Sequence, residues 1–138
     1  MALVENNSIL MSIKKLLNVE HDETAFDMDI GTFINAQFLT LHQLGIGPEN
    51  GFVVRDADVK WTDFSTDPFI VEAVKEYVFL KVRMVFDPPA SSIVSDAYNS
   101  QISELEWRMH LQSEKSWDKP SGIETSETEN QNEEAGEP

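Results

Sequence analysis

Apolar residues recur at three- and four-residue steps in four stretches of the chain, the pattern of helices with one buried face. The first follows Asn6, Asn7 or Ser8, any of which can cap it, and carries Ile9, Leu10, Ile13, Leu16 and Leu17. Lys14 and Lys15 are expected on its wet side, near a C-terminus whose dipole suits their charge. Asn18 and the acidic Glu20-His21-Asp22-Glu23 end it. The second stretch opens near Asp27, with Asp29 in its first turn. It presents Ile30, Phe33, Ile34, Phe38, Leu41 and Leu44, then closes on Gly45 as a left-handed C-cap. Asn35 sits beside that apolar arc and reads as a hydrogen-bonded core amide rather than a ligand-binding group.

The remaining two stretches form a hairpin over Asp67–Met109. Asp67 before Pro68 is a strong helix start, a capping carboxylate followed by a proline whose missing N–H costs nothing at the first position. From Ile70 to Phe86, Glu72, Glu76 and Arg83 share one side, and Val74, Tyr77, Met84 and Val85 the other. Phe79 and Phe86 nevertheless fall among the charges, and Lys81 falls inside the apolar arc. A helix this apolar on nearly all sides requires cover on more than one side, and part of that cover is expected from another subunit. Lys81 must snorkel, pair with a carboxylate or face a partner. Asp87-Pro88-Pro89 stops the helix. The last helix begins near Ser91 or Ser92 and runs through Val94, Tyr98, Ile102, Leu105 and Met109. Glu104 and Arg108 form an i,i+4 pair, and Trp107 lies off the stripe.

Between the two pairs, Gly45–Thr66 is a long connection for a helical domain. Gly47-Pro48 and Asn50-Gly51 are turn formers, and Val59-Lys60-Trp61-Thr62-Asp63 alternates like a short strand. The segment reads as two short strands or an ordered arm with Trp61 and Phe64 folded back on the helices. An irregular loop pinned by Trp61 is the alternative.

The 138 residues divide into a helical domain over 1–112 and an acidic, flexible tail over 113–138. The tail has eight acids against Lys115 and Lys119, so it supplies −6 of the formal −15, and Ile123 is its one Ile, Leu, Val, Phe or Met. Such a segment cannot bury enough apolar area to offset its ordering entropy and is expected to be disordered when free. With no cysteine, disulfides and thiolate metal sites are excluded. No apolar run approaches membrane-spanning length and Met1–Asn7 lacks a basic leader, so the expectation is a soluble product with no membrane role. The acidic balance argues against gripping nucleic acid, though not against lying near it.

No catalytic pattern emerges. Asp56-x-Asp58 fails as a calcium loop, because Lys60 occupies a ligand position and Trp61 stands where the turn needs glycine. His21, His42 and His110 lack metal-ligand spacing, and Gly45-Ile46-Gly47-Pro48 lacks the glycine and lysine of a phosphate loop. Neither an enzyme nor a cofactor is expected.

Several short motifs together resemble a known family. They are Ser12-Ile13-Lys14-Lys15-Leu16-Leu17, Ala25-Phe26-Asp27-Met28-Asp29-Ile30, Leu44-Gly45-Ile46-Gly47-Pro48, Trp61-Thr62-Asp63-Phe64, Val74-Lys75-Glu76-Tyr77-Val78, the run Lys81–Pro89 and Glu104-Leu105-Glu106-Trp107-Arg108. In this order, over about Ser12–Leu111, they resemble the gp6-like head–tail connector (adaptor) proteins of tailed bacteriophages. The resemblance implies a mainly α fold, a four-helix adaptor-type bundle with a long loop or short β-hairpin between helices 2 and 3. It also implies a virion protein assembled as a homo-oligomeric, twelve-fold ring under the portal protein. Such a ring extends the DNA channel and seats the stopper or tail-completion protein, and double-stranded DNA passes through its lumen without specific binding. Carried onto this chain, Phe79, Lys81, Arg83 and Phe86 would meet neighbouring subunits, and Glu104, Trp107, Arg108 and Leu111 the portal. Glu49, Asp56, Asp58 and Asp63 would face the channel or the stopper. The competing reading is a cytosolic acidic helical module that docks onto a partner protein.

Overall fold

The computed structural model describes residues 7–121, with side-chain surroundings through Ser113. Among the described residues five helices follow one another: α1 (Ile9–Leu16), α2 (Asp27–Gln43), the single turn α3 (Trp61–Phe64), α4 (Pro68–Phe86) and α5 (Ser92–Ser121). Helix α4 is the hub and packs against α1, α2, α3 and α5. Among the described residues no helix is long and apolar enough to cross a membrane.

The helix boundaries follow from local chemistry. Ser8 caps α1, its hydroxyl accepting from the Met11 N–H. The helix ends in a Schellman turn: Val19 N–H donates to Lys14 C=O and Asn18 N–H to Lys15 C=O, with Asn18 in the left-handed region at φ 64°. Helix α2 ends the same way around Gly45 at φ 85°, with Ile46 N–H donating to Leu41 C=O. Asp67 caps α4 through the Phe69 N–H, and Ser91 caps α5 through Ile93 and Val94.

The core is one cluster drawn from every helix, with Ile9 and Ile13, Ile30, Ile34, Phe38 and Leu41, Val74, Tyr77, Val78 and Val82, and Ile102, Leu105 and Met109. Two expectations change here. Lys14 is not on a wet face; it is 1% exposed. Position 14 lies four residues after Leu10 and three before Leu17, at the edge of the apolar face, so its stem runs through the interior. Its ammonium donates to the carbonyls of His21 (3.2 Å) and Glu23 (2.8 Å) and lies 2.8 Å from Asp27 Oδ1. That last contact is an ion pair without hydrogen-bonding alignment. The α1–α2 connection is thereby strapped to α1.

The second change concerns Gly45–Thr66. Among the described residues there is no strand, so of the expected arrangements the strand pair is absent: what remains is an isolated antiparallel bridge between Ser8 and Lys60, followed by α3. Trp61 and Phe64 are both buried, and residues three apart point to opposite faces of a strand but to the same face of a helical turn. Burying both therefore favours the turn, and Asp63 secures it by accepting from the Lys60 N–H. Four rings weld the connection to the core: Phe38 lies 5.0 Å from Phe52, 5.1 Å from Phe64 and 6.3 Å from Trp61. Asn35, as expected of a core amide, clamps the segment by bonding Val54 in both directions.

The last helix continues to Ser121, so the segment from 113 expected as a flexible tail begins inside it. Residues 122–138 lie outside the described residues.

Candidate functional site

Helix α4 is about 28 Å long at 1.5 Å per residue, and exposed apolar side chains gather at both of its ends. At its start, Phe69 is 86% exposed. Asp67, Phe69 and Ile70 share a cleft with Arg108, Met109 and Gln112, which brings the far part of α5 to this end. There Trp107, 61% exposed, and Leu111 stand one turn apart on α5. At the other end Val85 precedes the Asp87-Pro88-Pro89 turn, and Ile93, 79% exposed, and Val94 follow it. Phe26 meets Phe86 edge-on at 5.4 Å, which brings the start of α2 and the exposed Met28 to the same end. Exposed apolar surface, where it is contiguous, is the usual mark of a contact surface.

The residues expected at the subunit interface are more engaged with their own chain than the sequence suggested. Phe79 and Phe86 are half-buried and pack against the core. Phe79 borders a cleft of about 400 Å³ with Leu16, Leu105 and Arg108. The Lys81 ammonium stands 5.7 Å from the Tyr77 ring centroid. Arg83 donates to the Asp87 carbonyl at 3.1 Å and to the Tyr98 hydroxyl at 3.2 Å. The helix-wheel surplus of α4 is thus largely met by the four elements packed on it. Phe69 and Val85 are the large apolar side chains of α4 left exposed.

The four residues expected to meet a portal are brought together: Glu104, Trp107, Arg108 and Leu111 occupy two turns of α5, all exposed, with Glu104 and Arg108 paired. The four loop acids are all exposed but fall into two sets. Glu49 and Asp63 line one open groove of about 1020 Å³, whereas Asp56 and Asp58 share a separate turn in which Asp56 accepts from the Asp58 N–H. Phe69, Ile93 and Met28 were missed by the sequence reading. A wheel drawn from Pro68 would have flagged Phe69, which lies about 140° from Val74.

Polar links run along the α4–α5 hairpin. Gln101 donates to Glu76, and the buried Tyr77 hydroxyl donates to Glu106 at 2.8 Å. Burial, and then the hydrogen bond and negative charge of Glu106, push the Tyr77 phenol well above its ordinary pKa. Among the described residues no three His, Asp or Glu side chains converge as metal ligands would.

A family model described as phage connector protein matches residues 9–116. No curated protein and no solved structure matches the chain.

Proposed function

The chain belongs to the phage connector protein family, and from that premise we propose that it is a non-enzymatic head–tail connector of the gp6-like type, assembled as a ring beneath the portal. The observation that carries this reading is the pair of exposed apolar patches at opposite ends of α4. A ring protomer placed between two other components needs several distinct complementary surfaces, and a heterologous ring interface uses two different faces of each copy.

In this reading Trp107 and Leu111, rimmed by the Glu104–Arg108 pair, form the portal-facing anchor; a large aromatic beside an Arg is the usual composition of an interface hot spot. The exposed sides of Phe79 and Phe86, with Lys81 and Arg83, contribute to contacts between neighbouring copies. Glu49, Asp56, Asp58 and Asp63 present negative charge to the lumen or the stopper, so that DNA slides past rather than adheres.

The test is co-assembly. Mixed with the portal protein of its phage, the parent chain should enter a stoichiometric ring visible by electron microscopy. Trp107→Asp should fold normally, because Trp107 is outside the core, yet lose most portal association. A chain that stays at monomer mass with its portal, or a Trp107→Asp variant that assembles like the parent, would favour the competing reading of a free-standing interaction module.

A further inference from the structure

An open groove of about 1020 Å³ lies between the Gly45–Glu49 segment, Thr62–Thr66 and the far part of α5. Its floor is apolar, formed by Ile46, Phe64, Ile70 and Met109, and its rim carries Glu49 and Asp63. Two segments of this chain lie outside the described residues. The one after Ser121 holds six acids, no Lys or Arg, and Ile123 as its one large apolar residue, so it is repelled by the rim and offers the floor little. The one before Asn7 reads Met1-Ala2-Leu3-Val4-Glu5-Asn6, four apolar residues with a single acid.

Where that segment joins the fold fixes its direction. Asn7 C=O accepts from the Trp61 N–H at 2.9 Å, and Ser8 pairs antiparallel with Lys60. At Asn7 the antiparallel register points back toward the turn α3 and Thr62–Thr66, which line the groove. Six extended residues reach about 20 Å. From this register, this reach and this composition, we propose that residues 1–6 dock in the groove of their own chain, with Leu3 and Val4 on the apolar floor. The inference stands independently of the connector role.

The chain has no cysteine, so Ala2→Cys gives a single site for a nitroxide label. In the otherwise full chain, methyl NMR signals of Met109, Ile46 and Ile70 should lose most of their intensity, while that of Ile30, at the other end of α2, is spared. Adding Leu3→Asp and Val4→Asp keeps the tether but removes the anchors, and the lost intensity should return. Unaffected groove methyls overturn the proposal. So does broadening that survives both aspartates, because tethering alone would then explain it. Mixing spin-labelled chains with isotope-labelled chains that carry no nitroxide supplies the last arm: broadening of the groove methyls in that mixture means a second copy fills the groove, and overturns docking within one chain.

Discussion

Asn35→Ala tests whether the α2–α3 connection belongs to the folded unit or hangs from it. The Asn35 amide makes two bonds to one residue, Oδ1 accepting from the Val54 N–H at 2.7 Å and Nδ2 donating to the Val54 C=O at 3.0 Å. One side chain thus does what a neighbouring strand would do. Alanine removes both bonds while Val54 stays buried. A buried polar group left without its partner costs about 1–3 kcal/mol, so the pair should cost about 2–4 kcal/mol. That is a large share of the roughly 5–15 kcal/mol that holds a domain folded. Asn35→Asp sharpens the test: it keeps the acceptor, loses the donor, and sets a carboxylate oxygen against the Val54 carbonyl. It should be at least as damaging as alanine at neutral pH and recover on acidification, when the carboxyl can donate. Urea unfolding at constant m-value reads the global effect, and hydrogen exchange of the Val54 amide reads the local one. If the connection is integral, both fall together. An Asn35→Ala chain within about 0.5 kcal/mol of the parent, with Val54 protection intact, would refute the reasoning.

Further substitutions probe the strap, the aromatic weld and the hairpin. Gly47 has φ 103°, and a Cβ there would lie 2.6 Å from Phe64 Cε1, a ring already confined by Phe38 and Phe52. Gly47→Ala should therefore cost about 2–4 kcal/mol. Gly51→Ala, at φ 90° with nothing within 4 Å of its Cβ, should cost clearly less in the same urea melts. Lys14→Met leaves Asp27 and two carbonyls without their cation and should cost about 3 kcal/mol; adding Asp27→Asn should restore part of it. For Tyr77 the folded state holds the phenolic proton more tightly than the unfolded chain does. Its contribution is whole below about pH 10 and declines by about 1.4 kcal/mol per pH unit above that, as the unfolded chain ionises first. Tyr77→Phe should remove this alkaline decline; parent and variant losing stability in parallel between about pH 9 and 11 would contradict it.

What could be read from the sequence was what local chemistry decides. The caps at Ser8, Asp67 and Ser91, the stop at Asp87-Pro88-Pro89 and the left-handed Gly45 each depend on residues within one turn of themselves. The structure departs from the reading where a distant group decides. Val59–Asp63 alternates like a strand, yet Phe38 from α2 draws Trp61 and Phe64 to one side and forces a helical turn. Lys14 looks solvated until the α1–α2 connection returns with two carbonyls and Asp27 to receive its ammonium. Asn35 was recognisable as a satisfied amide, but its partner, Val54, is 19 residues away and carries no mark in the sequence.

The apolar excess on α4 shows how a correct observation acquires a different cause. Apolar residues on nearly every side suggested that a neighbouring subunit must cover the helix. Within its own chain α4 already touches α1, α2, α3 and α5, so all-round apolarity records its central position. The large apolar side chains that α4 leaves exposed are Phe69 and Val85, one near each end. In the reading proposed above, the two apolar ends of α4 would serve partners on opposite sides of the protomer, as a connector between two other components needs.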